Sequence, residues 1–146
     1  MQTTQHQNTG RIVAVRGSVI DAEFPDDLPG MYNQLVAGDE GQVVFEVVRH
    51  LDERTVRALA LTRVQGIARE TPIIDKGAPI KVPLGEKTLG RLFNVFGETI
   101  DKGDPVEADR FRSIHQPAVS LARQSTVTEL FETGIKTIDV LAPLER

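Results

Sequence analysis

Few residues in this sequence have the type and spacing that chemistry demands. His6, His50 and His115 fall in separate loops or in the N-terminal tail, none with a second ligand at metal spacing. Each is expected to be structural or solvated. The acids are dispersed over strand faces and loops. Asp26-Asp27 and Asp52-Glu53 are neighbours in turn contexts, where carboxylates cap backbone N–H groups. Neither His-Glu-x-x-His nor Gly-x-Ser-x-Gly occurs. With no cysteine, thiolate metal sites, a cysteine nucleophile and disulfides are excluded together.

One stretch comes close to a reactive motif. Gly85-Glu-Lys-Thr-Leu-Gly90-Arg91-Leu92 has the glycine spacing of a phosphate-binding loop, but Arg-Leu stands where Lys-Ser/Thr is required. The missing hydroxyl would leave Mg²⁺ without its protein ligand, and the strand before the loop ends in Pro83. Gly90 falls inside a helical pattern, where close backbone packing is its expected role. The segment is rejected as a phosphate site. No catalytic, cofactor-binding or metal-ligating residue is expected in these 146 residues.

The elements that would position such residues read as short alternating strands. Gly10–Phe24 divides into two strands around Gly17, with Ile20, Ala22 and Phe24 facing one way and Asp21 and Glu23 the other. Pro25–Gly30 is a loop by composition, and Tyr32–Val36 a weaker strand. Gln42–Val48 is rich in β-branched residues, His50–Arg54 is a polar turn, and Thr55–Leu61 alternates again. Gly66, Pro72, Gly77 and Pro79 punctuate the next stretch, leaving a last short strand at Ile80–Val82. About six short strands separated by frequent turns imply a small antiparallel barrel, because closure removes exposed edges.

Between Val82 and Asp101 the apolar period changes from two to about 3.6. Leu89, Leu92, Phe93 and Phe96 fall at i, i+3, i+4 and i+7, which predicts a junction helix capped by Thr88 and ended by Gly97. Beyond it, Glu98–Asp109 is expected to be loop with a short strand, and Phe111–Gln124 has no clean period. Thr126–Phe131 is strand-like. Ile135, Ile138, Leu141 and Ala142 recover helical spacing until Pro143 stops it. The organisation read from the pattern is a tail at 1–9, a barrel domain at 10–82, and the opening elements of a second domain at 83–146.

Charge and composition narrow the function classes. Net charge is −4, and each half of the chain, divided at Val82, carries two more acidic than basic residues. Neither half has the basic excess of a nucleic-acid or anionic-membrane surface. An oligonucleotide-binding barrel stacks bases on aromatic residues in a positive groove, yet this barrel region offers Phe24, Tyr32 and Phe45 with acids in excess. No apolar run approaches the roughly 20 residues that span a bilayer. The first nine residues are uncharged and polar, unlike a signal or transit peptide, so a frayed tail is expected.

Several blocks together resemble one family. Gly10-Arg-Ile-Val-Ala-Val-Arg-Gly-Ser-Val-Ile-Asp-Ala-Glu-Phe, His50-Leu-Asp-Glu-Arg-Thr-Val-Arg-Ala-Leu-Ala-Leu, Asp75-Lys-Gly-Ala-Pro-Ile-Lys-Val-Pro-Leu-Gly, Thr88–Asp101 and Phe131–Leu144 are similar, in order, to the catalytic β subunits of F-type ATP synthases. The resemblance runs from Gly10 to Arg146 and is weakest over Gln116–Ser125. It implies a six-stranded antiparallel barrel in a mainly β chain, followed by the first helix and strand elements of an α/β nucleotide-binding domain. It also implies that the 146 residues end just before that domain's phosphate loop. The implied parent makes ATP from ADP and phosphate using an ion gradient. Its β subunits alternate with α subunits around a central γ shaft, the barrels forming a crown, on the cytoplasmic side of a bacterial inner membrane. Mg-ATP and Mg-ADP belong to the parent and not to these residues. The other readings are a self-standing, non-catalytic interaction module, or the N-terminal part of a related rotary or secretion ATPase.

Overall fold

The computed structural model describes residues 7–38, 41–123 and 129–145. Six strands close into an antiparallel barrel: β1 (Thr9–Arg16), β2 (Val19–Glu23), β3 (Asn33–Ala37), β4 (Val43–His50), β5 (Thr55–Ala60) and β6 (Pro72–Pro79), in the spatial order β1-β2-β5-β4-β3-β6. The β1–β2 hairpin turns at Gly17, whose φ of +62° suits a residue without a Cβ. Alternation then fills the interior: Ile12, Ile20, Ala22, Phe24, Leu35, Val43, Phe45, Val47, Val56, Ala58 and Ile73 are buried in one cluster. Val56 and Ala58 point in while Leu59 stays exposed, as the pattern predicts.

The sixth strand is a correction. The sequence expectation placed it at Ile80–Val82, because prolines and glycines interrupt the preceding stretch. In the structure Pro72–Pro79 closes the barrel, pairing with β1 through Thr9↔Ile74, Gly10↔Ile73 and Arg11↔Pro72, and with β3 on its other side. Both prolines sit at strand ends, where a missing N–H costs least. Gly77 occupies an irregularity in the register with β3, at φ +69°, and its N–H is accepted by Asp75 Oδ1 at 2.8 Å. The tail is also shorter than expected at its C-terminal side: Thr9 belongs to β1, and the Asn8 carbonyl accepts the N–H of Asp75.

After the barrel, β7 (Lys81–Leu84) pairs with β8 (Arg110–Ser113) as a two-stranded ribbon. Pro83 lies within β7, opposite Phe111, and so does not end the strand. The junction helix is absent. In its place stand a short 3₁₀ turn at Glu86–Thr88, a bridge between Phe93 and Thr99, and a tight turn at Asn94–Glu98. Local chemistry defeats the 3.6-residue period. Gly90 and Gly97 have φ of +71° and +80°, and Asn94 Oδ1 accepts the N–H groups of Phe96 and Glu98 at 2.9 and 3.0 Å. Leu89 and Leu92 are exposed rather than packed on a helical face. Thr88 caps no helix: its hydroxyl donates to the Gly85 carbonyl at 2.7 Å.

Compactness divides the chain into two units, Met1–His115 and Gln116–Arg146, so the β7–β8 ribbon counts with the barrel. Within the second unit, β9 (Leu130–Phe131) pairs with β10 (Leu144–Glu145). Between them runs the expected helix, α1 (Lys136–Leu141), with Ala142 at its C-terminal boundary just before Pro143. Thr126, Val127 and Thr128 of the expected Thr126–Phe131 strand lie outside the described residues.

Candidate functional site on the outer face of the barrel

The polar structure of the first unit lies outside the closed core. Among the described residues Asp21 is the buried charge, its side chain 8% exposed although it points outward from β2. Two arginines cover it. Arg57 on β5, opposite Asp21 in register, donates from Nε at 2.7 Å and from Nη2 at 3.0 Å, and Arg16 Nη1 donates at 2.8 Å. The Arg57 fork is the main reason the Asp21 carboxyl is held below its ordinary value. Burial opposes that shift, and Arg16 adds to it. A second group, Arg11 with Glu23 and Glu70, spans β1, β2 and the loop before β6, with its arginine well exposed.

The histidines take structural positions. His50 Nε2 lies 2.8 Å from the Pro29 carbonyl, pinning the β2–β3 loop to the end of β4. His115 Nε2 lies 2.8 Å from Glu46 Oε2 on β4, and its ring stacks on Tyr32 with centroids 4.1 Å apart. No sequence signal announces that constellation, since Glu46 is 69 residues from His115. His6 lies outside the described residues. Asp52 behaves as a turn cap, accepting the N–H groups of Arg54 and Thr55, and these bonds hold its carboxyl below the ordinary value. Asp27 contributes its backbone carbonyl, to Asn8 Nδ2.

The rejected glycine loop has no phosphate geometry. Its Thr88 hydroxyl is committed to Gly85, and Lys87 faces Asp109 at 3.8 Å. A Cβ on Gly90 would meet nothing within 4 Å, so Gly90 is there for its positive φ and not for close packing. Just downstream, Arg91 donates to both oxygens of Asp101 at 2.5 and 2.9 Å, and to the Asp104 carbonyl. With the Gly103 N–H also bonded to Asp101, that carboxyl is driven far below its ordinary value. Both residues organise their own loop.

An open cleft of about 790 Å³ lies at one end of the barrel, lined by Gly38, Gly41, Gln65, Gly66, Thr71 and Lys76 with neighbouring apolar residues. It gathers amides, glycines and one lysine, which is no nucleophile–base pair. Among the described residues no three His, Asp or Glu side chains are grouped to hold a metal, and no helix is long and apolar enough to cross a membrane. The aromatics of the oligonucleotide reading are spent elsewhere. Phe24 and Phe45 are in the core, and Tyr32 is on His115.

What remains is a closed barrel with a charged outer face, and its sequence is similar to that of known proteins. The beta-barrel domain of the ATP synthase alpha/beta family matches residues 12–77, which is the barrel from within β1 to within β6. The barrel is similar to that family's barrel domain. Similarity continues past it. The chain is 50% identical over 143 residues to ATP synthase subunit beta 2 of Albidiferax ferrireducens, covering 98% of this chain and 27% of the relative. It is 47% identical to ATP synthase subunit beta 2 of Syntrophotalea carbinolica, covering 97% of this chain and 30% of that protein. ATP synthase subunit beta 1 of Chlorobaculum tepidum is 44% identical across 100% of this chain, again 30% of the relative. The chain thus spans under a third of the length of the curated relatives it matches.

Proposed function

We propose that this chain is the N-terminal part of the catalytic β subunit of a rotary F-type ATP synthase, and that its role there is assembly. The observation that carries the reading is the coincidence of the family match with the closed barrel, together with alignments at 44–50% identity that cover nearly the whole chain. On this reading the barrel that begins at Thr9 is the crown, and residues 83–146 open a nucleotide-binding domain. The parent makes ATP from ADP and phosphate. Its barrels join those of alternating α subunits, and a γ subunit runs through the ring. The complex sits on the cytoplasmic side of a bacterial inner membrane, which the β subunit itself does not cross.

Mg-ATP does not fit the residues present. The glycine loop at Gly85–Gly90 has its hydroxyl turned to its own backbone and its lysine turned to an aspartate. No step of the reaction is routed through these residues, and none is assigned as catalytic, cofactor-binding or metal-ligating.

Two measurements test the reading. The codons following Arg146 should encode Gly-x-x-x-x-Gly-Lys-Thr within about 20 positions, the span of a phosphate loop and its helix. A different sequence there would favour the self-standing interaction module. Titration calorimetry of the 146-residue chain should show no saturable heat with Mg-ATP. A saturable site would overturn the rejection of Gly85–Leu92.

A further inference from the structure

We propose that Tyr32, Glu46 and His115 form a releasable fastener that straps the β7–β8 ribbon onto the barrel and fixes the point where the chain leaves the first compact unit. Three observations converge on it. His115 is the last residue of that unit. Its ring is held on two sides by groups from elsewhere in the sequence: the Tyr32 ring at 4.1 Å and 16° between planes, and Glu46 Oε2 at 2.8 Å. The backbone just before it is tied to the ribbon's own start, with the Ile114 N–H donating to the Ile80 carbonyl at 3.1 Å. The strap therefore runs from β8, which pairs with β7, directly onto β4 and the loop before β3.

Its chemistry suits release. Glu46 is anchored on a strand whose alternate residues, Phe45 and Val47, are fully buried, so the docking side is rigid. The docked side is one aromatic ring with one polar bond, about a third exposed. Tyr32 is held at φ +66°, and its N–H donates to the Val47 carbonyl at 2.9 Å, which orients the ring platform before His115 arrives. A contact of this kind opens more easily than the apolar core beneath it, because its polar groups can return to water whereas the core's apolar side chains cannot. The ribbon can then lift while the barrel stays closed. The inference concerns the first unit alone and stands whether or not the assembly reading holds.

Tyr32 is the single tyrosine and the chain has no tryptophan, so intrinsic fluorescence reports the fastener directly. The test compares the wild type with H115A and E46Q. It follows tyrosine emission with acrylamide quenching, and residue-resolved amide exchange. For H115A we expect Tyr32 to become at least twofold more accessible to acrylamide, and the Ile114 and β7–β8 amides to exchange about tenfold faster. The amides of Ile20, Phe45 and Val56 should stay within twofold of wild type. E46Q keeps an acceptor for the imidazole N–H and should retain most of the protection. Unchanged ribbon exchange in H115A would overturn the proposal, and so would equal acceleration of ribbon and barrel amides.

Discussion

At the scale of single residues, Asp21 carries the clearest energetic consequence. Alternation alone places it on the solvent side of β2, and so it is, yet the stems of Arg16 and Arg57 bury it. Removing its charge strands the Arg57 fork. We expect D21N to cost about 2 kcal/mol at pH 7, the range for a hydrogen-bonded charge losing its partner, measured by urea unfolding. R16A should cost less, since Arg16 is 63% exposed and screened by solvent. The sign with pH follows from the direction of the shift. A carboxyl held below its ordinary value of 3.8 stabilises the fold above that pH and loses the contribution as pH falls through the folded-state value. The gap between wild type and D21N should therefore be full at neutral pH and close below about pH 4. A gap that widens on acidification would refute the assignment.

Among the elements, the barrel seam is the most demanding. Gly10 lies opposite Ile73 where β1 meets β6, and a Cβ there would collide with the Glu23 carbonyl and approach the Phe24 ring at 2.8 Å. Phe24 is fully buried and has nowhere to go. We expect G10V to destabilise the barrel by about 3 kcal/mol, the upper end for overpacking, read as a lower urea midpoint with unchanged slope. Such elements show where sequence reading succeeds. β2 and β5 are legible from alternation, because one face of each meets the core, and β4 from its β-branched residues. β6 was hidden because its prolines and Gly77 read as breakers, and only tertiary pairing makes them strand ends and an irregularity. The helix expected over Leu89–Phe96 failed for the converse reason. Four apolar residues had helical spacing by coincidence, while Asn94, Gly97 and the Arg91–Asp101 pair dictated a turn. The candidate surface was less legible still, because Asp21 meets Arg57, and Glu46 meets His115, across separations that no local pattern encodes.

For the whole molecule, the distribution of buried residues decides what stands alone. Every member of the apolar core cluster belongs to the barrel, whereas α1 has no buried residue. Limited proteolysis should accordingly cut first within 116–146 and leave a resistant product ending near His115, identified by intact mass. First cleavage within Arg11–Leu61 would contradict this order. The boundary lies beyond Val82 because the β7–β8 ribbon is counted with the barrel, and His115 holds the end of it.

The pairing of β1 with β6 has one more implication. Thr9, where the chain enters the barrel, sits beside Ile74, and the exit at Pro79 is a few residues further along the same strand. A barrel whose way in and way out are neighbours is topologically a plug-in module, able to be spliced into a host loop or rewired without reordering its strands. A circular permutant joining Pro79 to Thr9 by a short Gly/Ser linker, opened at the exposed Asp52-Glu53 turn, should keep the β-rich circular dichroism and a cooperative melt.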